Sequence, residues 1–194
     1  MKQMKKSHLE LAKLSNDVYA NHEYEVDGIE FSLIDNVWVF RGTDEVTDWL
    51  TNLRVIPWYV DRVGWCHSGF IKTAQDVFAT VLAVSLKEDC DESQFQYTGH
   101  SLGGAIALGV AAYIKLYGLE LQNIVTFGAP CIGRLKILDQ TDVVCYRHGR
   151  DIVPMLPLVI GRPRPLTNIG EPSSRRWNVA DHDMGKYEAS LSLI

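Results

Sequence analysis

The chain has 194 residues, of which 46% are hydrophobic and 22% are charged, and its formal net charge is −5. This length suits one domain with a real core, and the composition is ordinary for a soluble globular protein. The length favours a single domain over residues 1–194. Because a general nucleic-acid binder needs lysines and arginines to neutralise phosphates, the acidic balance argues against that class.

The first half of the chain predicts two helices on either side of a pair of strands. In chain order these elements are a helix over Ser7–Ala20, strands over Ile29–Ile34 and Val37–Phe40, and a helix over Phe70–Lys87. The Asp35-Asn36 pair between the two strands is typical of a tight turn. A short helix over Thr43–Leu53 is expected within a long excursion that ends near Gly64.

The second half alternates apolar strands with helical periodicity. It predicts a strand over Phe95–Thr98, a helix over Leu102–Leu116, strands over Asn123–Phe127 and Val143–Arg147, a final hairpin of Arg164–Ile169 with Arg175–Val179, and a short C-terminal helix. This βαβ order predicts an α/β fold whose mostly parallel central sheet is flanked by helices.

A nucleophile is indicated at the junction between a predicted strand and a predicted helix. The segment Gly99-His100-Ser101-Leu102-Gly103 has the Gly-x-Ser-x-Gly spacing of a nucleophile elbow. The turn is so sharp that the serine backbone is strained, and a Cβ two residues before or after it would collide with neighbouring backbone. A glycine-rich turn that packs a helix on a strand shares part of this pattern, but the flanking strand and helix favour Ser101 as the nucleophile.

A serine nucleophile needs a base to take its proton and a carboxylate to hold that base in one tautomer. In this architecture the acid and then the histidine follow the serine along the chain. Asp151 comes just after the strand Val143–Arg147, at the carboxyl end where an acid is expected. Asp139 and Asp142 are weaker candidates because they precede that strand.

Two histidines follow the nucleophile along the chain, His148 and His182. His148 is too close to Asp151 in sequence to be oriented by it, and it is expected to shape the loop instead. His182 lies on a polar loop before the last helix, where a catalytic base is expected. The predicted catalytic residues are therefore Ser101, Asp151 and His182.

The oxyanion of the tetrahedral intermediate needs two backbone N–H donors. One should be the N–H of Leu102, directly after the nucleophile, and the other should come from a loop after an earlier strand. Thr43 fits the second role because it follows an apolar strand and Gly42. The same segment could also be a simple strand-ending turn.

These segments together resemble the class 3, or fungal-type triacylglycerol, lipase family. The matching pieces are Phe40-Arg41-Gly42-Thr43, Asp48-Trp49-Leu50, His67-Ser68-Gly69-Phe70, Thr98 to Ala105, Thr126-Phe127-Gly128-Ala129-Pro130, Asp151-Ile152-Val153-Pro154, and Asp181-His182 with Tyr187. The resemblance implies an α/β-hydrolase fold and a Ser-His-Asp triad at the three residues above, with Thr43 and Leu102 in the oxyanion hole. It also places Asn52 roughly where the family has a polar partner for the hydroxyl at the Thr43 position.

The resemblance further implies a lid over the site, at residues 44–63. Its apolar side, together with a pocket for the acyl chain, would be formed by Val46, Trp49, Leu50, Leu53 and Trp58. A lid closes such a side over the site in water and exposes it at a lipid surface. A fixed surface helix is the alternative interpretation.

The predicted function is a lipase or esterase that acts through an acyl-enzyme on Ser101 and needs no metal or cofactor. A phospholipase A-type activity is a variant, because six arginines between Arg147 and Arg176 could meet an anionic membrane, although they could equally be a solvated surface. The other hypotheses are acyl transfer to an alcohol or thiol and a non-catalytic binding protein on a hydrolase fold. The oligomeric state stays open.

The location is predicted from the N-terminus and the cysteines. Polar residues from Glu10 onward interrupt any stretch of signal-peptide length, and no segment approaches the roughly 18 apolar residues that span a bilayer. The four cysteines, Cys66, Cys90, Cys131 and Cys145, form no CxxC pair and no cluster with metal-ligand spacing. Reduced thiols and a cytoplasmic location are therefore expected, with release by another route left open.

Overall fold

The computed structural model describes residues 5–43, 56–87 and 92–194. In these ranges the strands are β1 Tyr24–Val26, β2 Ile29–Ile34, β3 Val37–Phe40, β4 Pro57–Val60, β5 Gly64–His67, β6 Gln96–His100, β7 Asn123–Phe127, β8 Val143–His148 and β9 Leu166–Ile169. The α-helices are α1 His8–Asp17, α2 Ser68–Lys87, α3 Leu102–Leu116 and α4 Met184–Leu191.

Seven strands form the central sheet, in the order β1-β2-β3-β6-β7-β8-β9. The pairs β1–β2 and β2–β3 are antiparallel, and every pair from β3 to β9 is parallel. The predicted α/β fold with a mostly parallel sheet is confirmed. Strands β4 and β5 form a separate antiparallel hairpin, which the sequence did not predict.

The sheet is covered on both faces, which explains why every residue of β3 is apolar. Val37 and Val39 pack in one cluster with side chains of α1 and α4. Trp38 and Phe40 point the other way, into the larger cluster that α2 and α3 share. Each such side chain contributes about 1.5–3 kcal/mol when fully buried, so β3 supports both layers at once.

Helix α2 is the one described helix that is long and apolar enough to cross a membrane by length and composition alone. Its buried side chains, which include Phe70, Ala74, Val77 and Val81, lie in the core cluster. It packs against α3 as a layer of the domain. We therefore interpret α2 as a core helix.

The final hairpin predicted from the sequence is wrong. Strand β9 pairs parallel with β8, and the residues of the second predicted arm, Arg175–Val179, form no strand. Asn178 makes a single parallel bridge with Asp151. The side chains of this arm have other partners: Trp177 lies under the Arg147 guanidinium, and the amide of Asn178 bonds Asp181.

Because β3, β6, β7 and β8 run parallel, their carboxyl ends meet at one edge of the sheet. Each strand is followed there by a short connection that carries a residue of interest: Thr43, Ser101, Gly128 and Asp151. Ligands of open α/β sheets bind at this edge. The fold thus brings residues from four distant parts of the chain to one place.

Three of the four cysteines, Cys66, Cys131 and Cys145, lie in the described part of the chain, and all three are buried and free. Burial raises the pKa of the Cys66 thiol to about 11. These thiols therefore stay protonated and inert at neutral pH. Cys90 lies outside the described residues.

Candidate active site

Ser101 sits on a strained turn between β6 and α3. Its φ is 54° and its ψ is −129°, a region that residues with a side chain rarely occupy. The turn is held because the Ser101 N–H donates to the carbonyl of Phe127 at 2.9 Å and its carbonyl accepts from Gly104 N–H at 3.0 Å. The predicted elbow geometry is therefore present, with Ser101 fully buried.

The glycines on either side of the serine are needed because backbone approaches them closely. A Cβ built on Gly99 would lie 2.6 Å from the carbonyl carbon of Gly103 and 2.7 Å from the carbonyl oxygen of Phe40. Real Cβ atoms essentially never approach backbone so closely. The strand, the turn and the helix can meet here only without those side chains.

Gly99→Ala is therefore expected to destabilise the fold by about 1–3 kcal/mol, as overpacking does in other cores. Chemical denaturation followed by circular dichroism measures this. The matched control is Gly161→Ala, because a Cβ there meets nothing within 4 Å and that glycine does not have a positive φ. The control should stay within about 0.5 kcal/mol of wild type. Equal stability of the two variants would contradict the packing described for the elbow.

The carboxylate of Asp151 and the ring of His182 are directly bonded. His182 Nδ1 lies 2.6 Å from Asp151 Oδ2, and both residues are buried. The same carboxylate also accepts from Tyr187 Oη at 2.6 Å and from Val153 N–H at 2.9 Å. Three donors hold the carboxylate, so it can fix the ring with its proton on Nδ1 and leave Nε2 as an acceptor.

Two atoms near this pair have no hydrogen-bond partner among the described residues. They are Ser101 Oγ and His182 Nε2, both buried. Gly128 adjoins them, since a Cβ there would lie 2.8 Å from His182 Cε1. The preceding carbonyl, of Phe127, bonds the Ser101 N–H. A hydroxyl that can lose a proton and a nitrogen that can take one thus lie at this edge without partners among the described residues, as does His148 Nδ1.

His100, the residue before the serine, links the histidine loop to the rest of the site. Its Nε2 lies 2.7 Å from the carbonyl oxygen of His182. Because a carbonyl can only accept, we infer that Nε2 carries the proton and that Nδ1 accepts from Tyr19 Oη at 2.8 Å. Burial and then the neighbouring His182 ring lower the pKa of His100 well below its usual value. The ring therefore stays neutral and positions the backbone of His182.

The two predicted oxyanion donors line one cavity of about 270 Å³, together with Glu30, Arg41 and Gly42. The loop that carries Thr43 is held against the elbow, because a Cβ on Gly42 would lie 3.0 Å from the Cβ of Ser101. Arg41 forms an ion pair with Glu30, and its guanidinium lies over the Tyr19 ring at 5.3 Å. These contacts fix the Thr43 loop beside the nucleophile.

A second buried carboxylate, Asp181, lies next to the histidine in sequence but has a different set of partners. It accepts from the N–H groups of Arg150 and Ser173 and from the side-chain amide of Asn178. Burial alone raises its pKa, but these hydrogen bonds outweigh burial, so the pKa lies well below the usual range. Asp181 therefore holds the loops on either side of the site as an ionised group.

The rival acids and the other histidine lie elsewhere. Asp139 and Asp142 form ion pairs with Arg164 and Lys5 at exposed positions. His148 is buried at the end of β8, where its ring packs near Tyr187. This agrees with the expectation that it shapes the loop.

The predicted lid is only partly within the described residues. Val46, Trp49, Leu50, Leu53 and Asn52 lie outside them, as does the predicted helix Thr43–Leu53 beyond Thr43 itself. Trp58, predicted for the lid or acyl pocket, lies on β4 of the hairpin and is 60% exposed. The second part of the predicted lid is thus a β-hairpin.

One group of described side chains could hold a metal ion. The ligand atoms of His22, Glu25 and Glu30 lie within 4.8 Å of one another. The Glu30 carboxylate is already paired with Arg41. We assign no metal to this group, and none of the contacts of Ser101, Asp151 and His182 depends on one.

Sequence reasoning had assigned no role in the site to Tyr19, Glu30 or Asp181, although Asp181 belongs to one of the matching segments. Tyr19 and His100 are 81 positions apart, and no local motif links them. Asp181 had a signal, because it adjoins the predicted base, but its chain position does not distinguish it from Asp183. The contacts of these residues arise from loops that meet only in the folded chain.

Residues 37–160 match the family described as Lipase (class 3), which is more than half of the chain. A secreted mono- and diacylglycerol lipase of Fusarium solani is 35% identical over 129 residues, covering 62% of this chain and 38% of the fungal protein. A chloroplastic phospholipase A1 of Arabidopsis thaliana is 33% identical over 132 residues, covering 60% of this chain and 20% of the plant protein. The chain thus spans well under half the length of either relative.

The solved structure of a triacylglycerol lipase is similar with a TM-score of 0.66 at 20% identity, covering 90% of this chain and 91% of that one. The predicted α/β-hydrolase fold is confirmed. The predicted cytoplasmic location is wrong by comparison, because the Fusarium relative is a secreted enzyme. That prediction depended on the lack of a leader-like stretch, which carries no information in a chain that spans 38% of this relative.

Proposed function

The chain belongs to the class 3 lipase family, and from this premise we propose that it is a serine hydrolase that cleaves carboxylic esters of lipids. The observation that carries the proposal is the 2.6 Å bond between His182 Nδ1 and Asp151 Oδ2. His182 Nε2 and Ser101 Oγ are buried at this edge without hydrogen-bond partners among the described residues. These are the two atoms between which a triad transfers its proton.

The proposed reaction begins when Ser101 Oγ attacks the ester carbonyl carbon and His182 Nε2 takes the hydroxyl proton. Asp151 stabilises the imidazolium that forms, through the bond to Nδ1. The oxyanion accepts hydrogen bonds from the N–H groups of Leu102 and Thr43. Because these donors are fixed before the charge develops, each is worth about 3 kcal/mol in the transition state.

The tetrahedral intermediate then breaks its bond to the alcohol oxygen, and His182 gives the proton to the departing alcohol. A water molecule attacks the acyl-enzyme with His182 again as the base, and the collapse of the second intermediate releases the fatty acid and restores Ser101. The chemistry uses the same groups in both halves. Residues 1–194 are proposed to act as one domain.

A panel of esters tests this proposal. We expect turnover of short p-nitrophenyl esters and of emulsified mono- and diacylglycerols. The water-soluble esters report the chemistry alone, whereas the emulsions also require contact with a lipid surface. No turnover of any substrate by correctly folded protein would contradict the proposed function.

A second candidate is hydrolysis of phospholipid acyl esters. It is favoured by the Arabidopsis relative, which is named a phospholipase A1 and is 33% identical to this chain. Phospholipid vesicles in the same panel separate the two candidates by the fatty acid and lysophospholipid they release. The triad proposed above would serve either substrate, because only the alcohol that leaves is different.

A further inference from the structure

The β4–β5 hairpin presents large aromatic side chains to solvent. Trp58, Tyr59 and Trp65 are 60%, 56% and 63% exposed. Tyr59 and Trp65 are a cross-strand pair whose rings meet edge to face at 5.5 Å. Leu158 and Val159, of which Val159 lines the same groove as the hairpin, are also strongly exposed. Tyr59, Trp65 and Val159 share one groove, whereas Trp58 lies opposite Cys66 on the other face of the hairpin. Soluble proteins rarely expose contiguous apolar surface without a binding role.

Cations surround this apolar surface. Tyr59, Trp65 and Val159 line a groove of about 580 Å³ together with Arg62, Arg134 and Lys136, and no carboxylate of the described residues lines it. Asp61, in the turn of the hairpin, is an acidic side chain next to it in sequence. Arg62 reaches the carbonyl oxygen of Leu116 at 3.5 Å. In a chain whose net charge is −5, a groove whose described charged residues are all cations is a local exception.

The six arginines between Arg147 and Arg176, which the sequence suggested for membrane contact, contribute less to the surface around this groove. Arg164 donates to the carbonyls of Leu138, Asp139 and Thr141, and Arg162 donates to Cys131 Sγ. The Arg147 guanidinium donates to the carbonyl of Asp151. Half of that group is therefore used to tie loops together. The cations beside the exposed aromatics come from other parts of the chain.

The hairpin is close to the catalytic edge of the sheet. Cys66 on β5 pairs with Gly133, and the His67 N–H donates to the carbonyl of Ile132. Gly128, five residues before Gly133, lies against the His182 ring. Five residues span at most about 18 Å. A surface bound by the hairpin is therefore held near the ester-cleaving groups.

We propose that the surface formed by Tyr59, Trp65, Val159, Arg62, Arg134 and Lys136 binds an anionic lipid surface and holds the site against it. The proposal builds on the proposed function, since such an enzyme must reach esters that lie in a lipid layer. Tryptophan and tyrosine rings insert at the boundary between headgroups and acyl chains. Lysines and arginines near an anionic leaflet each strengthen binding by about fivefold.

Vesicle sedimentation tests this surface. Wild-type protein should bind vesicles of phosphatidylglycerol and phosphatidylcholine much more tightly than vesicles of phosphatidylcholine alone. The double variants Tyr59→Ser/Trp65→Ser and Arg134→Ser/Lys136→Ser should each bind the anionic vesicles roughly tenfold or more weakly. Brominated acyl chains should quench the fluorescence of wild-type protein more than that of the Tyr59→Ser/Trp65→Ser variant.

Two control variants carry single substitutions of the same kind at positions that do not line the groove. Trp177→Ser removes another half-exposed tryptophan, and Lys13→Ser removes an exposed cation on α1. Both should bind like wild type. All variants should hydrolyse a water-soluble p-nitrophenyl ester at the wild-type rate, which shows that they are folded.

Anionic vesicle binding that the two double variants retain would overturn the proposal, as would equal binding of wild type to neutral vesicles. Sedimentation velocity adds one outcome: self-association of wild type that the Tyr59→Ser/Trp65→Ser variant loses would assign the surface to a second copy of the chain instead. Vesicle binding that depends on these residues, in a protein without turnover of the soluble ester, would support the surface and contradict the proposed function.

Discussion

Replacing Ser101 with alanine is expected to lower the turnover of a soluble ester by roughly 10⁵-fold or more, to the level that binding and the oxyanion donors alone supply. The hydroxyl oxygen is the only atom removed, and it has no hydrogen-bond partner among the described residues. The fold should therefore persist, with an unfolding free energy within about 1 kcal/mol of wild type. Initial rates and chemical denaturation of the same sample measure both quantities.

The control for this variant is another buried serine. Ser85 lies in α2, where its hydroxyl donates to the carbonyl of Val81 at 2.8 Å. Ser85→Ala also removes one buried hydroxyl, but at a helix remote from the elbow, so it should leave turnover unchanged. Ester turnover near the wild-type rate in Ser101→Ala would exclude Ser101 as the nucleophile.

Asp151→Asn is expected to lower kcat by about 10⁴-fold, as the equivalent change does in other triads. The carboxylate accepts from the His182 ring, from Tyr187 and from the Val153 N–H. An amide has one acceptor oxygen, so it can no longer accept all three bonds and cannot stabilise the imidazolium. The loss should appear in kcat at every pH where the protein is folded.

Asp181→Asn is the matched control, because it changes a second buried aspartate one residue from His182. Asp181 accepts bonds from loop groups and not from the His182 ring. This variant should lose stability with a much smaller change in kcat. Equal losses of kcat in the two variants would contradict the assignment of Asp151 as the acid.

The direction in which the free energy of unfolding changes with pH follows from the lowered pKa of Asp181. A carboxyl whose pKa is lower in the folded chain than in the unfolded chain stabilises the fold above the unfolded value, which is about 3.9. That stabilisation is lost as the pH falls toward the folded value. The difference in unfolding free energy between wild type and Asp181→Asn should therefore shrink below about pH 4.

Elements and site residues were predicted best from the sequence where a local pattern and the order along the chain agree. Strands β2, β3 and β7 and helix α3 have the predicted bounds. Asp35 and Asn36 both have the positive φ that their turn requires. The Gly-x-Ser-x-Gly spacing located the strained serine because its steric rule is local. The order of serine, acid and histidine then selected Asp151 and His182, whose side chains are bonded in the structure.

The rest depends on contacts that no local pattern contains. The hairpin β4–β5 was missed because its turn has no Asn-Gly or Asp-Gly signal, and Arg62 takes the positive φ instead. The predicted strand Arg175–Val179 does alternate, but its side chains pack on Arg147 and bond Asp181 and do not form a ladder. Tyr19 contacts His100 only because α1 packs on the sheet.

Covalent labelling by a fluorophosphonate, followed by peptide mass spectrometry, tests directly whether Ser101 is the nucleophile. We expect one labelled serine, Ser101, in folded wild-type protein, with much slower labelling of Asp151→Asn. A label on another serine, or no label on folded protein, would contradict the assignment of Ser101 as the nucleophile.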